Sequence, residues 1–249
     1  MAGRPKPTPL EAFEDNMADA RGLVLLAEAA TNLRARRMRR ELRERVGEAI
    51  KAPRKRWDQL DCVESGDLFI VVLPDSRLGR QQLQNQAPLL RQAIVAGCAA
   101  AETYLADRVI ERSRRIVRGN GDLGRLARIP MSVGDWGAVE SYEYRRRGIT
   151  ECVIAPWVRE RASTAPNVVG ELLALVGVDR PHGQLDAARQ MPKGTTEDDL
   201  QRVTDRRNRI AHSGDRKGHG RASIRLDEVR EHLDCLHSIV AAIEKVLGD

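Results

Sequence analysis

Leu90-Arg-Gln-Ala-Ile94-Val-Ala-Gly-Cys98-Ala-Ala-Ala101-Glu-Thr-Tyr-Leu105-Ala-Asp-Arg-Val109 sets an apolar residue at every third or fourth position. That is the period of a helix with one buried face. Pro88 stands at one end of the stretch and Gly119-Asn120-Gly121 at the other, so the spacing predicts a single helix over 88–118, about 46 Å long. At the other end of the chain Leu226, Val229, Leu233, Leu236, Val240, Ile243 and Leu247 recur in alternating steps of three and four. This is the seam of a helical bundle or of a dimer. Composition agrees with these two helices. Hydrophobic residues make up 41% and charged residues 31%, while aromatics are only 3%. The first two values are those of a globular chain. The scarcity of aromatics argues against all-β folds and against base-stacking platforms. The fold class expected is therefore all-α.

The remaining segments divide around those helices. Residues 1–8 read as a disordered tail. Thr8-Pro9-Leu10-Glu11 is a capping box with proline at the first helical position. A long helix is expected from there, with Phe13, Met17, Val24, Leu26 and Leu33 inward, continuing or restarting through Met38, Leu42, Val46 and Ile50. The turn at Ala52-Pro53 ends it. Residues 53–87 form a connector in which 67–73 fits either one short strand or a buried extended segment. Short helices are expected at 135–147, 151–161 and 165–176, with turns around His182-Gly183 and Pro192–Gly194. Trp136 and Trp157 read as core anchors. Thr195-Thr196-Glu-Asp-Asp199 opens a further helix that stops at Ser213-Gly214. The division expected is a tail at 1–8, a basic N-terminal helix and connector at 9–87, and a helical core at 88–249.

Charge is unevenly spread. Lys and Arg total 42 against 36 acids, and 36 of the 42 are Arg. Arg34–Arg56 holds eleven basic residues and three acids, a net of +8, and leaves the rest of the chain at −2. Such a stretch suits a phosphate backbone, with strong salt dependence. It equally suits a solvated helix face supported by Glu41, Glu44 and Glu48. No run of about 18 apolar residues is present, so no membrane-spanning helix is expected. The N-terminus lacks the apolar core of a secretory signal, and a cytoplasmic location is expected. Cys62, Cys98, Cys152 and Cys235 are widely spaced and read as reduced thiols. His232, Cys235 and His237 do not match a zinc signature. No phosphate-binding glycine loop or dinucleotide fingerprint occurs. No metal and no cofactor are expected.

The chemistry-bearing stretch is Asp205-Arg206-Arg207-Asn208-Arg209-Ile210-Ala211-His212-Ser213-Gly214. At about 100° per residue, Leu200, Val203, Arg207 and Ile210 share one face, so Arg207 occupies a position where the pattern asks for an apolar residue. A buried guanidinium needs an anion. Asp205, Asn208 and His212 line a second stripe, close enough for the Arg207 side chain to converge on it. His212 sits in the last turn, where the helix dipole favours imidazolium. The stretch suits a phosphodiester site in which Arg207 holds the phosphate and His212 moves protons. It equally suits an Arg207 paired with an acid such as Glu102, with His212 capping a helix end.

The run Arg207-Asn208-Arg209-Ile210-Ala211-His212 resembles the R-x4-6-H motif of HEPN domains, including the polar residue that often follows the arginine. The helix ending in "RRNRIAHSGD", the loop and the last amphipathic helix are also similar to that family, as is the earlier helix with Ala100-Ala-Glu-Thr-Tyr-Leu105. Within the family the likeness is to the RiboL-PSP-type group, and it spans residues 88–249. The resemblance implies a HEPN-like up-and-down helical bundle with irregular insertions. It implies a metal-independent endoribonuclease, toxin- or phage-defence-related, that cleaves RNA through 2′-OH attack as a homodimer with a shared cleft. A cognate antitoxin or inhibitor would be a further partner. Carried over by position, Arg207 orients the scissile phosphate, His212 is the general acid/base, Asn208 orients the phosphate or the imidazole, and Glu102 is a candidate supporting partner. The alternative is a catalytically inactive HEPN-like module that binds nucleic acid or a partner protein. The basic segment 34–56 and the strand-like 67–73 lie outside the resemblance.

Overall fold

The computed structural model describes residues 6–31, 33–36, 38–66, 68–73, 80–119 and 123–248. Residues 1–5 of the expected tail, Arg37, Asp67 and the Asn120-Gly121 stop lie outside them. Helix dominates, as the periodicity predicts, in eleven α-helices among the described residues. No helix among those residues is long and apolar enough to cross a membrane.

The chain parts into two compact units, one of residues 1–20, 94–222 and 231–249, the other of 21–93 and 223–230. Three long helices contribute to both: α1 (Pro9–Ala30), α4 (Ala87–Arg118) and α11 (Leu226–Leu247). The capping box of α1 forms as expected, with the Glu11 N–H donating to Thr8 Oγ1 at 3.2 Å and the Thr8 N–H to Glu11 Oε2 at 2.8 Å. These bonds from Thr8 hold the Glu11 carboxyl below its ordinary pKa.

The smaller unit is where expectation and structure part. The helix expected to run on through Leu33 stops at Ala30, and β1 (Arg34–Arg36) follows before α2 (Arg40–Ala49). β1 pairs antiparallel with β2 (Asp61–Glu64), and β2 with β3 (Phe69–Val72), with Arg34 opposite Glu64 and Glu64 opposite Phe69. The segment expected at 67–73 thus holds a strand at Phe69–Val72, and two strands flank the basic helix that the sequence did not announce. The reason is local poverty of signal. Cys62 and Val63 are fully buried but stand in a run too short to show a period. Met38, Leu60 and Cys62, with Val46, Trp57 and Val71, make a small core under α2 and the 3-10 turn Arg54–Gln59. Leu26, expected inward, is exposed, while Ala27 is buried in its place. Helix α3 (Arg80–Gln84) completes the unit's own elements.

The larger unit is helical throughout, apart from one short hairpin. α1 and α4 meet through Phe13 and Tyr104, whose ring centroids are 5.6 Å apart. The Tyr104 hydroxyl donates to Glu244 of α11 at 2.7 Å. Gly97 allows α4 and α11 their close approach, because a Cβ there would stand 2.4 Å from Leu233 Cδ2. The expected α11 seam is buried within the chain from Val229 to Leu247. It therefore supplies bundle packing rather than a surface for a second copy.

Between α4 and α11 come α5 (Val133–Glu140), α6 (Arg145–Gly148), a π-helical turn at Ile149–Ile154, α7 (Ala155–Arg161), α8 (Pro166–Leu175), α9 (Pro181–Arg189) and α10 (Thr195–Ser213). Trp136 is 40% exposed, not a core anchor. The turn expected at His182-Gly183 is inside α9 instead. Its Asp186 reaches across to cap α10, accepting from the N–H groups of Gly194 at 2.7 Å and Thr196 at 2.8 Å. Burial works against the Asp186 carboxylate, but these bonds keep its pKa below the ordinary value.

Candidate active site

Helix α10 ends where the sequence says it should, at Gly214 in left-handed conformation. Its buried stripe is Thr196, Leu200, Val203, Thr204 and Arg206. The buried arginine is thus Arg206 and not Arg207, which corrects the helical-wheel reading. The cause lies past the helix end. Asp215 turns back, its N–H donating to the Arg209 carbonyl at 2.9 Å. Its carboxylate, 1% exposed, accepts from Arg206 Nη1 at 2.5 Å. That counter-charge makes burial of Arg206 tolerable. An acid one residue beyond a helix stop was the available signal.

Arg207 lies half-buried beside it. Nη2 donates to Glu102 Oε2 on α4 at 3.3 Å, and Nη1 to Asn208 Oδ1 at 3.0 Å. The expected convergence of the Arg207 side chain on the Asn208 stripe is therefore present, and so is the pairing with Glu102. Glu102 is also held from a second direction, its Oε1 accepting from the Thr164 N–H at 3.3 Å. The Thr204 hydroxyl donates to Thr164 Oγ1 at 3.0 Å, so the loop before α8 is tied to both α4 and α10. Sequence reading did not reach Thr164 or Thr204, since a lone threonine in a loop or helix carries no spacing signal.

His212 is exposed in the last turn of α10 and makes no hydrogen bond or ion pair with Arg207 or Asn208. The structure joins Arg207 to Asn208 and Glu102 and leaves the imidazole open to solvent one turn further along. Asn208 and His212 are four residues apart, about 40° around the helix, so they share a face. Beside Glu102, a cavity of about 310 Å³ is lined also by Thr103, Asp107 and Arg159. Asp107 and Arg159 form an ion pair at 3.5 Å on its wall.

Cys98, one turn before Glu102, is no nucleophile at neutral pH. Burial first, and the Glu102 carboxylate second, push its thiol up to about 12. Among the described residues no three His, Cys, Asp or Glu side chains gather as a metal site. What the cluster can do is bind an oxyanion at a guanidinium and exchange a proton at an exposed imidazole. Against models of known protein families, curated proteins and solved structures, the chain matches none.

Proposed function

We propose that the chain is a metal-independent endoribonuclease of the HEPN type, with a HEPN-like arrangement of its helices. The observation that carries this reading is the Arg207 side chain folded onto Asn208, with His212 on the same face one turn away. In the reaction, the RNA 2′-OH attacks the adjacent phosphorus and loses its proton while the P–O5′ bond breaks and the leaving 5′-oxygen gains one. His212 exchanges the proton with the attacking or leaving oxygen. The Arg207 guanidinium stabilises the charge that builds on the non-bridging oxygens. Asn208 accepts from Nη1 and so fixes the plane of the guanidinium, acting as a positioning residue. Glu102 holds Arg207 in the absence of substrate. The Arg207 side chain keeps 30% of its surface exposed, which leaves an edge for a phosphate.

A homodimer belongs to this reading, with two α10 helices facing one cleft. Because the α11 seam is consumed inside the chain, the dimer must form through another surface. Light scattering that returns a monomer mass at micromolar concentration would count against it. A cytoplasmic toxin or defence role, held in check by an antitoxin or inhibitor, follows from the same resemblance.

The second reading, a catalytically inactive module that binds nucleic acid or a partner protein, is favoured by the Arg207–Glu102 pair, which neutralises the guanidinium. One assay separates the two: purified protein, EDTA and a structured RNA. Cleavage that leaves a 2′,3′-cyclic phosphate and spares a strand with 2′-deoxy at the cut position supports the ribonuclease. Binding with no His212-dependent cleavage on any RNA tried supports the silent module.

A further inference from the structure

Beyond Gly214 the chain forms a hairpin, β4 (Arg216–Lys217) paired antiparallel with β5 (Gly220–Arg221). Its two-residue turn begins at Gly218, whose φ of +60° suits glycine at the first turn position. In this register Arg216 stands directly opposite Arg221. Residues so placed project to one face with their Cβ atoms about 5 Å apart. Like charges in that relation repel and destabilise the hairpin. Here nothing offsets them: Arg209, Arg216, Lys217 and Arg221 are all exposed and have no ionic partner among the described residues. Of the two acids nearby in sequence, Asp205 accepts from Gln201 Nε2 at 2.8 Å and Asp215 is consumed by Arg206.

The hairpin is nevertheless held firmly at its base. The Ala222 N–H donates to the Asp215 carbonyl at 2.7 Å, the Asp215 N–H to the Arg209 carbonyl at 2.9 Å, and the Asp215 side chain is locked by the buried arginine. A buried ion pair thus pins the backbone that carries these two opposed arginines to the end of the helix that carries His212, four residues before Arg216. A pair of planar forks carried on an anchored hairpin, without a counter-charge among the described residues, suits phosphate oxygens.

We infer that the Arg216–Arg221 pair is a phosphate clamp for the RNA strand entering at His212. This rests on the ribonuclease reading for the identity of the polyanion, and it adds a binding site that the R-x4-6-H residues do not include. The clamp grips the backbone and not the bases, so it contributes affinity without sequence preference.

The test is binding of a short fluorescein-labelled single-stranded oligoribonucleotide to His212→Ala protein in EDTA over a range of salt. Adding Arg216→Ala and Arg221→Ala is expected to weaken binding on the order of tenfold at low salt and to flatten the slope of log affinity against log salt by about 1.4, the value for two phosphates at about 0.7 each. The Arg216→Lys, Arg221→Lys protein is expected to keep that slope. The Arg216→Gln, Arg221→Gln protein removes both charges at similar side-chain length and is expected to lose the same slope, so an unchanged slope there overturns the clamp even if the alanine variant fails to fold. An unchanged slope in the alanine variant overturns the clamp, and so does an unchanged affinity. Polyglutamate competing as well as the RNA overturns it in favour of an acidic protein partner. The two readings fail separately. Wild-type protein that binds but never cuts RNA sinks the ribonuclease and leaves the clamp to the slope. Wild-type protein that cuts RNA while the alanine variant keeps the full slope sinks the clamp alone.

Discussion

Two arginine-rich stretches use their charge in opposite ways. Arg34–Arg56, in the smaller unit, spreads its basic residues over a strand, a short helix and a 3-10 turn. Their interactions are those of a surface: Arg40 with Glu44 at 2.9 Å, Arg43 with Asp58 at 3.1 Å, Arg54 over the Trp57 ring at 5.7 Å. Pairs of this kind contribute about 0–1 kcal/mol each. Residues 205–221, in the larger unit, have six basic residues against two acids, yet their arginines meet three different fates. Arg206 is buried on a carboxylate, Arg207 is half-buried between Glu102 and Asn208, and Arg216 and Arg221 oppose each other in water. Net charge says that both stretches attract polyanions. Only the partner of each guanidinium says which arginine holds the fold and which remains for a ligand.

The sharpest way to break this contrast is catalytic. His212→Ala is expected to lower cleavage by about 10²–10⁴-fold through loss of proton transfer, read by product release from labelled RNA. Arg207→Ala is expected to cost about 10²–10³-fold. Arg207→Lys recovers only part, because the planar fork is gone. A full recovery would mean that a point charge suffices at that position.

Next comes stability, where neighbouring arginines should differ. Arg206→Ala removes the guanidinium 2.5 Å from the buried Asp215 carboxylate and is expected to cost about 3–5 kcal/mol, a fall in Tm of roughly 10 °C. Arg207→Ala removes a pair that is 30% and 16% exposed and leaves Glu102 its bond from the Thr164 N–H, so it should lower Tm by only a few degrees. Replacing both partners, Arg206→Met with Asp215→Leu, should restore most of the loss. Equal melting for the Arg206 and Arg207 single variants would erase the distinction drawn between them.

A smaller effect is expected from the basic stretch. Reversing Arg39, Arg40 and Arg45, all exposed, should weaken RNA binding and flatten its salt slope by about 0.7 for each phosphate no longer neutralised. Arg43 is a poorer choice, since its Nη2 also donates to the Met38 carbonyl at 3.2 Å. An unchanged slope would make this face a solvated surface only. The smallest effect is none at all. With its thiol pushed up to about 12 by burial, Cys98 should resist iodoacetamide at pH 8, and treatment should leave activity intact. Mass-spectrometric labelling of Cys98 at that pH would show that the floor of the site opens.

The helices were legible because their evidence is local. A stripe of period 3.6, a Thr8–Glu11 capping box and a Gly214 stop are each readable within one or two turns of chain, so α4, α10 and α11 come out close to their observed limits, as does the start of α1, though not its end at Ala30. So does the approach of Arg207 to Asn208, since a long arginine side chain can span the roughly 100° between neighbouring helix positions. The three-stranded sheet was not legible. Its strands span three or four residues each, and their pairing joins Arg34 to Glu64 across a helix that carries no mark of it. The same holds for α9, whose Pro181 and Gly183 look like turn residues until Asp186 is seen capping α10. Nor could a helical wheel choose between Arg206 and Arg207. Burial of a guanidinium is decided by where its carboxylate lies, and Asp215 arrives there only because the chain reverses at Gly214. Charge pairing acts through space over a few ångströms. Its partners are therefore fixed by the folded chain, while the periodicity that makes a helix is written residue by residue.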